Sequence, residues 1–72
     1  DKMEVEIRQE NEFIKLGQAL KKAGLVGSGV DAKMIIQDGR VTVNGEIEER
    51  RGRKLYPGDV VSLEGDSFKV VK

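Results

Sequence analysis

The feature that most constrains this chain is an Asn-Gly pair at positions 44–45, because it fixes a point at which two strands reverse. Both central residues of a type I′ turn need a positive φ, which Gly adopts freely and Asn tolerates better than most residues. Ahead of the pair, Val41 and Val43 alternate with polar residues, the pattern of a half-buried strand. The return strand over residues 46–48 has Ile47 as its one apolar residue, which we expect to face the core. The pair therefore predicts a β-hairpin.

A strongly cationic loop follows the hairpin. Its four basic residues, within a span of five, are Arg50, Arg51, Arg53 and Lys54. Like charges at this density repel one another unless an anion lies across them, and so short a chain has little stability to gain from the arrangement. We interpret the loop as a contact for an anionic partner, since Arg can hold a phosphate with two hydrogen bonds. The alternative is a solvated turn, which is the commoner role of a charge run.

The charges are sorted along the chain although the net charge is zero. Residues 1–12 carry −3 and residues 13–57 carry +4, so an anionic partner is expected on the middle segment. The chain has no Cys and no His, which excludes disulfides, thiol chemistry and the usual zinc sites. We expect no metal, no cofactor and no enzymatic activity. Since no apolar run approaches the roughly 18 residues of a membrane span, we expect a cytoplasmic protein that does not enter membranes.

Residues 3–7 alternate between apolar and polar side chains, which predicts another half-buried strand. Its partner is expected among two C-terminal apolar runs, 60–63 and 68–71. A Pro-Gly turn at 57–58 leads into the first run, and a turn over 64–67 separates the two. The chain thus supplies four to five short strands.

Two helices are predicted between the first strand and the hairpin. The first opens at Asn11 or Glu12 and ends at Gly24. The second opens at Ser28, the N-cap of an S-x-x-D box, ends at Gly39 and is expected to be mostly covered. The apolar residues assigned to covered faces are Phe13, Leu16, Leu20 and Ala23 in the first helix and Val30, Ala32, Met34, Ile35 and Ile36 in the second. The fold class is α+β, with two short helices packed on a small, mostly antiparallel sheet of four to five strands, in one domain over residues 1–72.

Five sequence blocks occur in the order found in a known family. They read K-L-G-Q-A-L-K-K-A-G-L-V, S-G-x-x-A-K-x-x-I, G-R-V-x-V-N-G-E, R-R-G-R-K-L and P-G-D-V-V. Over residues 13–63 the chain resembles the αL-motif RNA-binding domain of the ribosomal protein S-four-like type, and more narrowly the small stand-alone bacterial YbcJ-type proteins. The resemblance implies a non-catalytic module that binds structured RNA, either rRNA or tRNA, with the ribosome as a further candidate partner. We expect the protein to act as a monomer.

The resemblance also implies where RNA would bind. The contacts would come from the first helix, the start of the second, the residue that leads into the hairpin, and the cationic loop. These residues are Lys15, Lys22, Ser28, Gly29, Lys33, Arg40, Arg50, Arg51, Arg53 and Lys54. The chain departs from the family pattern at Val30, where a second Gly is expected.

Other interpretations stay open. Residues 27–29 with Lys33 suggest a phosphate loop, but the G-x-x-x-x-G-K-[ST] spacing is absent, which leaves a capped helix start that could accept one backbone phosphate. A protein-protein adaptor could use the same basic surface to bind an acidic partner. The V-N-G-E strand also occurs in β-grasp sulfur carriers, although residues 70–72 read Val-Val-Lys in place of their Gly-Gly.

The aromatic and acidic residues bear on how RNA would be recognised and on whether a metal or acid-base site is present. Phe13 and Phe68 lie in apolar patterns and are expected in the core, with Tyr56 half-buried. Without a stacking platform, recognition by RNA shape and phosphate contacts is favoured over capture of single-stranded bases. The acidic side chains of residues 46–49 are interpreted as local charge balance for the cationic loop, rather than as a metal or acid-base site.

Overall fold

The computed structural model describes residues 3–72, so Asp1 and Lys2 lie outside it. Seven strands and two helices follow one another along this part of the chain. They are β1 (Met3–Glu6), β2 (Ile14–Lys15), α1 (Leu16–Lys22), α2 (Gly29–Gln37), β3 (Val41–Val43), β4 (Glu46–Ile47), β5 (Lys54–Leu55), β6 (Val60–Leu63) and β7 (Asp66–Val71). Within residues 3–72, neither helix has the length and apolar character needed to span a bilayer.

The main sheet has five strands in the order β1-β7-β6-β3-β4. Its first pair, β1 with β7, is parallel, while every other pair is antiparallel. The predicted strand over residues 3–7 therefore finds its partner in the last of the two C-terminal runs. The predicted α+β class and the mostly antiparallel sheet are confirmed, and a second sheet of two strands, β2 with β5, adds to them.

The predicted hairpin is confirmed at its turn. Asn44 has φ 53° and Gly45 has φ 86°, the positive pair that a type I′ turn requires. The expected direction of Ile47 is wrong, because its side chain is 66% exposed. Ile47 lies opposite Thr42, and cross-strand partners point to the same face of a sheet. Since Val41 and its alternate neighbours face the core, Thr42 and Ile47 face away from it.

The first helix begins later than predicted, at Leu16 instead of Asn11 or Glu12. The preceding residues Ile14 and Lys15 pair with β5, so a contact between distant segments replaces the local helical preference. The C-terminal end agrees with prediction, since Gly24 takes φ 78° just past the last turn.

The second helix is capped as predicted, because the Ser28 hydroxyl accepts a hydrogen bond of 3.1 Å from the Asp31 amide. The prediction that this helix is mostly covered by the rest of the protein is wrong, however. Val30 is 67% and Met34 is 59% exposed, since only the side that carries Ala32 and its helical neighbours packs against the rest of the protein. The outer side of α2 faces solvent.

The turns near the C-terminal strands hold their predicted positions. Gly58 takes φ 99°, and the Asp59 amide donates to the Tyr56 carbonyl at 3.0 Å. The later turn is tighter than predicted, because Glu64 and Gly65 alone carry the reversal and β7 begins at Asp66.

One apolar core lies between the helices and one face of the main sheet. Helix α1 contributes Leu16 and Leu20, and the sheet contributes alternate residues of its long strands. Phe68 is fully buried as predicted, whereas Phe13 is only half-buried at the edge of the core. The other face of the sheet carries polar side chains such as Lys69. The helices and the cationic loop therefore occupy the opposite side of the molecule from Lys69.

Candidate nucleic-acid interface

The cationic loop is attached to the start of α1 by backbone hydrogen bonds. The Leu16 amide donates to the Arg53 carbonyl at 2.8 Å, and the Gly17 amide donates to the Arg51 carbonyl at 3.1 Å. Helix α1 has no side-chain cap, so these loop carbonyls satisfy the amides that would otherwise lack partners. The loop is consequently held at a defined position on the helix instead of projecting freely.

Gly17 allows the loop to approach so closely. A Cβ at this position would lie 2.7 Å from Cγ and 3.3 Å from Cδ of Arg51, closer than side-chain atoms pack. The stem of Arg51 thus crosses directly over the helix backbone. The need for Gly in the block K-L-G-Q is therefore explained by close approach of another segment and not by backbone conformation.

A shallow groove of about 320 Å³ forms where α1, the start of α2 and the loop meet. Three cations lie along it, which are Lys15, Lys21 and Arg51. Gly29 at the start of α2 adds a stretch of backbone without a side chain. We call this depression the first groove. It brings together three of the predicted site residues, Lys15, Gly29 and Arg51.

Lys21 and Gln18 are not among the residues predicted for the site. Both line the first groove. The signal was present in the spacing of residues 15, 18 and 21, which share one helix face at intervals of three.

Two arginines of the loop are held by Glu48, which is buried at 8% exposure. Its carboxylate accepts bonds from Arg50 Nε at 2.9 Å and from the Arg50 amide at 3.1 Å. Arg53 Nη1 approaches the other oxygen at 3.5 Å. The repulsion expected among the four cations is thus partly relieved inside the protein. For Glu48, the prediction of local charge balance is confirmed.

The pKa of Glu48 is lowered from its ordinary value of 4.5 by the side-chain hydrogen bond from Arg50, against the opposing effect of burial. A carboxylate with a depressed folded pKa contributes stability above its unfolded pKa, and this contribution is lost as the pH falls through the folded value. We therefore expect the free energy of unfolding to fall as the pH is lowered below about 4.5. Urea titrations at several pH values should show a shallower fall for Glu48→Gln, and identical curves would contradict the assignment.

The other predicted site residues lie elsewhere. Lys22 Nζ donates to the Glu6 carbonyl at 2.6 Å, which ties α1 to the end of β1. Arg40 precedes β3, at the end of the β3-β4 hairpin opposite its turn. It forms an ion pair there with Glu64, with Arg40 Nε 2.9 Å from Glu64 Oε1. Lys33 is exposed on α2. Ser28 serves as the helix cap described above.

A second groove, of about 490 Å³, adjoins the first at Gly52 of the loop. It is lined by Arg50, Gly52, Arg53, Lys54 and Tyr56. The cationic loop thus forms a wall shared by two neighbouring depressions. Within residues 3–72 no group of His, Cys, Asp or Glu side chains is arranged to hold a metal ion. The cationic side chains along both grooves give this surface the charge that an extended anion would bind.

Known proteins match nearly the whole chain. The family model described as the S4 domain matches residues 5–71. The "Probable ribosome maturation protein RlbA" of Bacillus subtilis (strain 168) is 52% identical over 63 residues, which cover 86% of this chain and 89% of that protein. YbcJ of Escherichia coli (strain K12) is 40% identical over 58 residues, covering 81% and 83% respectively.

A solved structure shares the fold. The solution structure of YbcJ from E. coli, described as revealing an ALFAL motif involved in RNA-binding, superposes with a TM-score of 0.74 at 32% identity. The match covers 100% of this chain and 90% of that one. The two helices and the strands around them therefore have the same arrangement in both proteins.

Proposed function

Because the chain belongs to the S4 domain family, we propose that it binds structured rRNA or tRNA through phosphate contacts from the first groove and the cationic loop. The family and the fold make it an RNA-binding domain of the αL type. The class of RNA, the phosphate contacts and the residues that make them are the proposed part of this function. We also propose that it acts without catalysis, as a monomer.

One observation carries this proposal: Lys15, Lys21 and Arg51 line a single groove whose walls are joined by backbone hydrogen bonds. Cations held at fixed spacing bind a phosphate backbone without first losing the conformational freedom of a loose loop. Arg51 can present two N–H groups to one phosphate, and the lysines act as point charges beside it. Gly29 lets a phosphate come close to the start of α2.

Folded RNA fits this surface better than an unpaired strand does. A-form helices are recognised largely through phosphate and 2′-hydroxyl contacts across their shallow groove. The first groove is lined by cations, an amide side chain and glycines, with no aromatic ring among its lining residues. The name of RlbA refers to ribosome maturation, which favours rRNA as the first RNA to test. The match to the S4 domain sets aside the β-grasp carrier interpretation.

The proposal is tested by the salt dependence of binding to an rRNA fragment. Each phosphate contact contributes about 0.7 to 0.9 to the slope of log K against log[salt]. We expect Arg51→Ala to reduce this slope by about one unit and to weaken several RNAs by similar factors. Lys69→Ala is the matched control, because it removes one positive charge from the opposite face of the sheet.

The two variants separate the outcomes. A reduced slope for Arg51→Ala with an unchanged slope for Lys69→Ala supports the proposed interface. Equal effects of both variants would mean that net charge alone attracts the RNA, and would overturn the assignment of the groove. If the parent protein binds no RNA even at low salt, the adaptor interpretation takes first place, and capture of an acidic protein after nuclease treatment would test it.

A further inference from the structure

Tyr56 and Phe13 form an aromatic pair at the surface beside the cationic loop. Their ring centroids are 6.1 Å apart and their planes are inclined by 55°. Tyr56 is 47% exposed, and Phe13 is half-buried beneath it. The prediction that Phe13 belongs to the core is therefore wrong. The strand pair β2-β5 accounts for this, since it draws Phe13 out of α1 and places it near Tyr56.

The backbone that carries Tyr56 is fixed on both sides. Its amide donates to Asp59 Oδ2 at 2.8 Å, and its carbonyl accepts from the Asp59 amide at 3.0 Å. Leu55, the preceding residue, is fully buried in the core. Lys54 Nζ lies over the Phe13 ring, 4.9 Å from its centroid, within the range of a cation–π contact. The exposed ring is thus held in place before any ligand arrives.

Tyr56 is also one wall of the second groove, whose other walls are Arg50, Gly52, Arg53 and Lys54. Its volume of about 490 Å³ falls within the range of small-ligand sites. An aromatic residue and three cationic residues therefore line the same space. That combination matches a single nucleotide, because its base has a flat face for stacking and its phosphate carries negative charge.

We propose that the second groove binds one unpaired nucleotide of the RNA, with its base stacked on Tyr56 and its phosphate beside Arg53 and Lys54. This inference rests on the proposed function and refines it. Gly52 of the cationic loop lines both grooves, so the two grooves adjoin and one RNA can occupy both. The preferred RNA is then a helix that carries a bulged or looped-out nucleotide.

The proposal also predicts which property of that nucleotide is read. Stacking tolerates any base, since every base offers a π-face, so the site selects an unpaired base without selecting its identity. The Tyr56→Phe variant should keep the preference for an unpaired base, because it keeps the aromatic ring. The Tyr56→Leu variant should lose this preference, because Leu keeps only the apolar bulk.

The test compares a blunt RNA duplex with the same duplex carrying one bulged nucleotide. We expect the parent protein and Tyr56→Phe to bind the bulged RNA about tenfold more tightly than the blunt one, and Tyr56→Leu to bind both RNAs equally. Binding of the blunt duplex should be the same for all three proteins, since it uses the first groove. A bulge preference that survives in Tyr56→Leu, or is missing from the parent, overturns the inference. Failure of the parent to bind either RNA would overturn the proposed function itself.

A fluorescence measurement tests the same proposal without depending on whether the Tyr56→Leu variant folds. The chain has one Tyr and no Trp, so Tyr56→Trp creates a single fluorophore at the site. We expect the bulged RNA to quench its emission strongly and the blunt duplex to leave it nearly unchanged. Equal quenching by both RNAs would show that position 56 does not distinguish an unpaired base.

Discussion

Replacing Glu48 with Ala is expected to lower the free energy of unfolding by about 2 kcal/mol. The carboxylate accepts from the side chain and the backbone amide of Arg50 and also from Arg53, so a single substitution removes the acceptor for all of these groups. Hydrogen bonds to a charged and largely buried acceptor are stronger than those on the open surface. The value stays moderate because Arg50 is itself exposed and recovers part of its hydration.

Thermal and urea unfolding would measure this effect. In a domain of this size about 2 kcal/mol corresponds to roughly 10 °C in melting temperature. Glu49→Ala is the matched control, because it removes a neighbouring carboxylate that forms no ion pair in the part of the chain that the structure describes. We expect the control to change stability by less than about 0.5 kcal/mol. Similar losses for the two variants would show that Glu48 acts only through net charge.

Replacing Gly17 with Val is expected to displace the cationic loop from α1. A Cβ here would already lie 2.7 Å from Arg51 Cγ and 3.7 Å from the Arg51 carbonyl oxygen, and the branched methyl groups of Val would reach further. Crowding of this kind costs about 1 to 3 kcal/mol. Because Arg51 would leave the first groove, we also expect RNA affinity to fall by about tenfold or more.

The Ala variant at the same position separates the two effects. Ala is favoured over Gly in a helix by about 1 kcal/mol, which offsets the cost of moving the Arg51 side chain. We expect Gly17→Ala to melt near the parent temperature while its RNA binding shows a reduced salt slope. Both properties can be measured on one preparation by thermal unfolding and by RNA titration. Full RNA affinity in Gly17→Val would mean that the position of the loop on α1 does not matter for binding.

Local signals predicted local structure well in this chain. The Asn-Gly turn, the Ser28 cap and the C-terminal ends of both helices follow from short-range rules, and the structure confirms each of them. The family resemblance read from five ordered blocks is also confirmed, and with it the αL fold. These features depend on residues a few positions apart, which a sequence displays directly.

Two of the failures involve pairing between distant segments. Helix α1 was expected to include Phe13, but the pairing of Ile14 with Leu55 takes precedence over local helical spacing. The direction of Ile47 is set by its register opposite Thr42, which the pattern of one strand does not reveal.

The candidate site shows the same limit. The ten residues assigned to it from the family resemblance stay a prediction, and the structure brings three of them, Lys15, Gly29 and Arg51, to the first groove. Their grouping was not visible, because it depends on the loop docking against Gly17 and on Glu48 holding Arg50. Tyr56 was expected to be half-buried and was not assigned to the site, and its contact with Phe13 joins residues far apart in sequence.

The parallel pairing of β1 with β7 gives the molecule a mechanical property. Met3 lies beside Phe68 and Glu6 beside Val71, so the outer ends of the two strands point in opposite directions. A force pulling those ends apart would act along the strands, and their hydrogen bonds would resist in shear all at once instead of opening one after another. Rupture under such a load is governed by the unfolding rate and not by equilibrium stability. A domain tethered at both ends would therefore behave as a clamp, with its strongest resistance at the edge of the sheet furthest from β4.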